Sequence, residues 1–445
     1  MVVSYDQSSL RISGHVDRLL AWPRGACHSD VSDCVDKAPF IPDAQAAIAA
    51  AGHLPADSSA STRHAALGVF AAMSIAFIWV NSPAVGTYDF IHHTPFSIQL
   101  GEVGLSKPLV DWINEGLMVF FFFAIGLEIK REVLVGDLAS PRRIALPAIG
   151  ALGGMLAPAA IYLMFNAGNP DTEHGWAVPV ATDIVLALAV LSVLGARVPA
   201  SLKVFLMALA VFDDFGTLAV IALFYTEGVS LVSLTMAGFG LAVLIGLNRM
   251  RISNMTPYVL IGIFVWVAVL ESGVHATIAG VLVAWTIPLT INGRPVLTVI
   301  EAGMKPWVAY GVVPIFAFFN SGIHLAGITP SSLLGPASLG AGLGLFLGKP
   351  LGVFGAAGLA VWSGLGRLPL GVSWLHLLGA SFLAGVGFTI SLFVAALAFD
   401  SPTALQAVTL SVIIGSTLSA VTGLGLLAAA RQRLQPLRPD ETFAP

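Results

Sequence analysis

Asp213 and Asp214 stand side by side in AVFDDFGTLAV, residues 210–220, and the rest of that stretch is almost wholly apolar. Asp183 in WAVPVATDIVLALAV and Lys349 in GKPLG are likewise enclosed by apolar sequence. A charge at the centre of a membrane helix costs about 2.5–3.5 kcal/mol on insertion scales, so such residues face the protein interior, pair, or line a water path. One Asp–Lys pair would serve to hold two helices together. Here three acids oppose one base, which points to a site that binds a cation, a proton, or each in turn. Hard cations prefer oxygen ligands, and carboxylates, a hydroxyl and carbonyls supply them. Neighbouring helix residues point about 100° apart, so Asp213 and Asp214 face different partners: one the lysine, the other a cavity. Burial and mutual repulsion work against both carboxylate charges, and an ammonium works for them. Their titrations are coupled, and a proton belongs to the group rather than to one residue.

The elements that hold these residues follow from composition. The chain has 445 residues, 56% hydrophobic and 10% charged, with a mean hydropathy of +0.87. Soluble domains are nearer 25% charged. This is the composition of an all-α polytopic membrane protein. The net charge of −4 gives no reason to expect a nucleic-acid partner. A bilayer core of about 30 Å takes around 20 apolar residues per helix. About twelve such spans are expected, over 65–81, 108–129, 144–166, 176–195, 201–225, 230–248, 256–271, 274–288, 305–325, 338–362, 374–399 and 404–429. Asp213 lies ten residues beyond Lys203, about 15 Å along the helix and near mid-membrane. Lys349, eleven residues into its span, falls at a similar depth.

Basic residues sort the connecting loops. Alternate loops carry Lys130, Arg131, Arg142, Arg143, Arg197, Lys203, Arg249, Arg251, Arg294, Lys305, Arg367 and the tail's Arg431, Arg433 and Arg438; the other set carries Lys107. By the positive-inside rule the first set and both termini are cytoplasmic. FSIQLGEVGLSK, 96–107, alternates about Gly101-Glu102 and predicts a β-hairpin outside the membrane. Its free edges make it a candidate dimer contact, with packing on its own chain as the alternative. Residues 1–63 read as a polar, disordered cytoplasmic extension, 64–430 as the membrane domain and 431–445 as a cytoplasmic tail. Cys27 and Cys34, beside His28, lack the second ligand pair of a zinc site and read as two incidental thiols.

Two spans are interrupted. Pro179 and Thr182-Asp183 break the fourth; Gly385, Gly387, Thr389 and Ser391 break the eleventh. These are the middle members of spans three to five and ten to twelve. The two triplets are seven helices apart, hence inverted, and paired interrupted spans in inverted repeats mark a midplane transport site. Crossed half-helices leave partial charges facing inward; Asp183 can offset the positive ends and Lys349 the negative ones.

The stretches WINEGLMVFFFFAIGLEIKRE, GWAVPVATDIVLALAVLSVLGARVP, LKVFLMALAVFDDFG, SGVHATIAGV, PWVAYGVVPIFAFFN, GKPLG and GVGFTISLF, in this order, resemble the NhaA-type sodium/proton antiporters over roughly 64–430. The resemblance implies electrogenic exchange of sodium or lithium for more than one proton, with no cofactor and no enzymatic activity, in the bacterial inner membrane. It implies that Asp214 is the central cation and proton carboxylate, and that Asp213 alternates between the cation and Lys349. Thr182 and Asp183 match the helix crossing, and Glu115 an acid of the periplasmic funnel. Glu128, Arg131 and Glu301 match a cytoplasmic cluster tied to pH control. Ala302 and Lys305 stand where the family often has histidines, so the pH threshold is not carried over. His275 reads as a neutral packing residue.

Other classes fit less well. A sodium-coupled organic-anion carrier on this fold needs anion-binding groups in place of the Asp pair. An intramembrane aspartyl protease has one acid on each of two helices and a Gly-x-Gly-Asp motif, absent here. A cation channel leaves Lys349 unexplained.

Overall fold

The computed structural model describes residues 58–100, 103–136, 141–226 and 228–430. The extension expected over 1–63, as far as residue 57 and with both cysteines, lies outside the described residues. So do the hairpin tip Gly101-Glu102 and the tail 431–445.

The described chain is mostly helical. α1 is Ser58–Val80, beginning six residues before the expected membrane domain, and α2 is Val85–His93. Strands β1 (Pro95–Leu100) and β2 (Val103–Pro108) pair antiparallel, Phe96 opposite Lys107 and Ile98 opposite Leu105. They form the expected hairpin. Its root is fastened to its own chain, where Trp112 Nε1 donates to Phe96 O at 2.8 Å. α3 runs over 109–135, with a π-helical stretch Trp112–Leu117 and a regular part Met118–Val135. α4 is Pro141–Asn166. A bent pair follows, α5 (Pro170–Val180) and α6 (Ile184–Ser192), meeting at 44°. Then come α7 (Ala200–Phe224), α8 (Leu231–Arg249), α9 (Thr256–Leu270) and α10 (Thr277–Thr286).

A second small hairpin, β3 (Thr290–Ile291) with β4 (Arg294–Pro295), precedes α11 (Leu297–Asn320). Its turn is Asn292-Gly293, both at positive φ, the dipeptide that two-residue hairpin turns favour. α12 is Pro336–Trp362; α13 (Trp374–Leu383) and α14 (Phe388–Ala398) form a second bent pair at 45°; α15 is Pro402–Ala429.

Among the described residues, seven helices are long and apolar enough to cross a membrane, or nine with each bent pair taken as one span. Three further segments of the twelve expected fall short for visible reasons. α3 carries Glu128, Lys130, Arg131 and Glu132 in its last turns; α9 and α10 have only 15 and 10 residues. α11 also begins eight residues before the expected 305, which places Glu301 and Lys305 on a helix rather than in a loop. Large apolar side chains such as Leu156, Met164, Leu223 and Trp362 point outward, a surface that suits hydrocarbon and not water.

Small residues allow α4 and α12 a close contact. A Cβ on Gly352 of α12 would meet the Gly153 backbone of α4, and one on Gly153 would meet Gly352 O. Helices approach this closely where neither has a side chain, as membrane helices commonly do. The contact draws in Lys349, whose Cδ would lie 3.6 Å from a Cβ on Gly154. Gly352→Val is therefore expected to force α4 and α12 apart, lowering stability by about 1–3 kcal/mol, the range for overpacked cores. Thermal unfolding in detergent reads this, with Gly355→Val, where a Cβ meets open space, as the neutral control.

Candidate functional site

The two helix breaks meet. Residues 181–183 leave helical geometry after Pro179, with Asp183 extended at φ −87° and ψ 95°. Residues 384–387 separate α13 from α14. Gly385 and Gly387 are needed here for space. A Cβ on Gly385 would meet Leu345 O, and one on Gly387 would lie 3.1 Å from Ala181 O. The breaks satisfy each other's backbone: Asp183 N donates to Val386 O at 2.6 Å. Thr182 Oγ1 lies 2.7 Å from Ala384 O and 2.7 Å from Asp213 Oδ2. It has one proton to give, so it serves one of these acceptors at a time.

Asp183 serves two helix ends with one carboxylate. Oδ1 accepts from Leu186 N at 3.0 Å, capping α6. Oδ2 accepts from Thr389 Oγ1 at 2.5 Å and from Thr389 N at 3.3 Å, in the first turn of α14. Helix N-termini present unpaired N–H groups and positive partial charge, and a buried carboxylate answers both. The α14 end has a second acceptor in Ser416 Oγ of α15, which takes Gly387 N at 3.1 Å and Phe388 N at 3.3 Å. Asp183→Ala is expected to destabilise the fold by about 2 kcal/mol, the upper range for a lost N-cap. Asp183→Asn, which keeps an acceptor for Leu186 N, should lose less in the same unfolding measurement.

α7 brings the acid pair to this crossing on its buried face. Asp213 and Lys349 are both fully enclosed, and Lys349 Nζ donates to Asp213 Oδ2 at 2.5 Å. Oδ2 thus meets both the ammonium and Thr182, while Oδ1 of Asp213 is buried without a hydrogen-bond partner. Asp214 is 7% exposed, and its Oδ1 is also buried and unpartnered. Asp213, Glu128 and Asp183 all lie within electrostatic range of Asp214, with Lys349 opposing them. The lysine reaches the acid pair; the backbone carbonyls of the eleventh-span break are met instead by Asp183 N and Thr182.

The other expected residues lie in separate groups. Glu301, 4% exposed, accepts from Arg131 Nε through Oε2 at 2.8 Å. Lys305 Nζ stands 2.9 Å from its Oε1, an ion pair one helical turn away. Arg131 also pairs with Glu132 at 2.6 Å. Lys130 donates to Trp285 O and Ile287 O at 2.5 Å each, closing the C-terminus of α10. Lys305, a departure from the resembled pattern, thus takes a place inside the charged cluster. Glu115 sits in the π-helical stretch of α3, paired with Lys107 of β2. His275 hydrogen-bonds Thr277 Oγ1 at 2.7 Å, with its ring edge-on to Phe393.

Two side chains at the crossing, Thr389 as a partner of Asp183 and Ser416, do not stand out in the sequence, nor does Glu128 as a charge acting on Asp214. Thr389 showed only as a polar interruption of the eleventh span. Ser416 is one of several small polar residues of α15, and nothing local marks it.

A family model described as Na+/H+ antiporter 1 matches residues 57–427. The Na(+)/H(+) antiporter NhaA of Maricaulis maris is 58% identical over 368 residues, covering 83% of this chain and 91% of the relative. The NhaA proteins of Rhodospirillum rubrum and Pseudomonas fluorescens are 49% and 47% identical, covering 80% and 82% of this chain and 92% and 93% of each relative. With its long apolar helices, the chain is a multi-pass membrane protein and belongs to the Na+/H+ antiporter 1 family.

Proposed function

We propose that this chain is a sodium (or lithium)/proton antiporter that exchanges one cation for more than one proton at Asp213 and Asp214. The observation that carries this reading is the buried Lys349–Asp213 ion pair beside Asp214, with an unpartnered oxygen on each acid. Where the two broken helices touch, Thr182 reaches Asp213 and Thr389 reaches Asp183. In the ion-free state Lys349 holds Asp213 and a proton holds Asp214. An entering cation takes the carboxylate oxygens from both. The Asp213 carboxylate turns from the ammonium to the ion, Asp214 gives up its proton, and Lys349, left buried without a counter-charge, gives up another. Loss of the cation on the far side reverses each step. Cation and proton thus exclude each other, and that exclusion is the coupling.

The charge balance makes the cycle electrogenic. One cation out against two protons in moves one net positive charge inward. Membrane potential drives this by about 2.3 kcal/mol per charge per 100 mV.

The fold reading is that α9, α10 and α3 span alongside the seven long helices and two bent pairs, giving twelve spans in a bacterial inner membrane, both termini cytoplasmic. α4 to α7 and α12 to α15 are inverted repeats around the site. The residues before α1 and the tail 431–445 flank the membrane domain on the cytoplasmic side. Glu115 stands in the periplasmic funnel, and Glu128, Arg131 and Glu301 tune access from the cytoplasm according to pH. The hairpin 96–107 joins two copies in a homodimer; the exposed Phe96 and Ile98 on β1 support that use.

The test is purified protein in liposomes carrying a pH dye and a voltage dye. A sodium or lithium pulse should move protons the other way and generate a potential, and potassium should do neither. Proton exchange with no potential would contradict the stoichiometry.

A further inference from the structure

The buried face of α7 carries one polar side chain besides the acid pair. Thr217 lies four residues after Asp213 and three after Asp214, so it is their neighbour on the helix surface. It is 2% exposed, and the next buried residues along the face, Leu218 and Ile221, are apolar. A threonine inside a helix normally turns its hydroxyl back to a carbonyl three or four residues earlier. Thr235, Thr286 and Thr417 do so, donating to Val232 O, Val283 O and Ile413 O at 2.7 Å each. Thr217 does not: its Oγ1 is buried with no hydrogen-bond partner. The same is true of Asp213 Oδ1 and Asp214 Oδ1. Three unpartnered buried oxygens therefore occur within about one turn of one helix.

We infer that Thr217 Oγ1 is a ligand of the transported alkali cation, completing with Asp214 an oxygen cage on the side of the acid pair nearer the C-terminus of α7. The inference rests on the proposed antiport reading and deepens it. A hydroxyl oxygen offers lone pairs without adding charge, which suits a hard monovalent cation. It lets the ion shed water without a further carboxylate that would hold it too tightly to leave. The larger sodium ion needs more oxygens than lithium, so the hydroxyl favours sodium.

Thr217→Val keeps the shape and removes the oxygen; Thr217→Ser keeps the oxygen. In everted vesicles, Thr217→Val should raise the half-saturating sodium concentration about tenfold, the lower end of what a lost partner around a bound metal ion costs. Its maximal rate should stay close to wild type, its lithium half-saturation should rise less, and Thr217→Ser should restore sodium affinity. Thr217→Ala provides the same reading where valine fails to fold. Wild-type half-saturation for both ions in the variants lacking the hydroxyl, alongside an inactive Asp214→Asn, overturns this inference and leaves the antiport reading standing. A loss in Thr217→Ser as large as in Thr217→Val also overturns it. Absence of sodium-driven proton movement in the wild type overturns the antiport reading itself.

Discussion

Asp214→Asn should reduce sodium-driven proton movement to the background of vesicles without the protein, at equal expression and with little change in thermal stability. The amide keeps the size of the carboxyl and one oxygen. It loses the negative charge that draws a cation and the proton that the cation displaces, so both halves of the exchange fail together. The fold should tolerate the change because Asp214 makes no ion pair with Lys349; that role belongs to Asp213. With a proton on Asp214 in the ion-free state, the variant exchanges one neutral side chain for another of the same size. Flux in everted vesicles and unfolding in detergent, measured on one preparation, separate loss of function from loss of fold. Persistence of sodium-driven flux would remove Asp214 from its central place.

The second large effect is on stability. Lys349→Ala should destabilise the protein by about 3–5 kcal/mol, because removing one partner of a buried ion pair leaves an uncompensated charge. Both side chains are fully enclosed and the contact is 2.5 Å, so solvent does not screen the orphaned Asp213. If the orphaned charge is the cause, removing it should help. The double variant Asp213→Asn/Lys349→Ala is expected to be more stable than Lys349→Ala alone, a coupling that a double-mutant cycle isolates. Additive losses would show that Lys349 acts by packing on α4 rather than through its charge. Transport by Lys349→Ala should also change its pH dependence, since the lysine no longer contributes a displaceable proton.

Much of this was legible in the chain because membrane burial makes charge conspicuous. Depth counting from Lys203 placed Asp213 in mid-span, and Pro179 with Gly385 and Gly387 marked where helices break. The alternation around Gly101-Glu102 marked the first hairpin. Contacts distant in sequence were less legible. The bond from Thr389 to Asp183 joins residues 206 apart, and no local pattern encodes it. The close approach of Gly153 to Gly352 depends on how α4 crosses α12. Other features had a local signal. Asn292-Gly293 is a strong hairpin dipeptide, set in a short polar stretch between hydrophobic spans. Glu301 and Lys305 are spaced four apart, as a helical ion pair requires, but a span beginning at 305 leaves Glu301 outside the helix. Thr217 was visible as a polar residue one turn beyond the acids; only its missing back-bond distinguishes it from an ordinary helix threonine.

Exchange of the proposed kind requires competition of cation and proton for the Asp213–Asp214 carboxylates. Its most direct measurement is proton release when sodium is added to the purified protein in weakly buffered detergent solution, over a pH series. Release is expected on binding of sodium or lithium, none with potassium, and none in Asp214→Asn. Sodium binding without proton release at every pH, or undiminished release in Asp214→Asn, would contradict it.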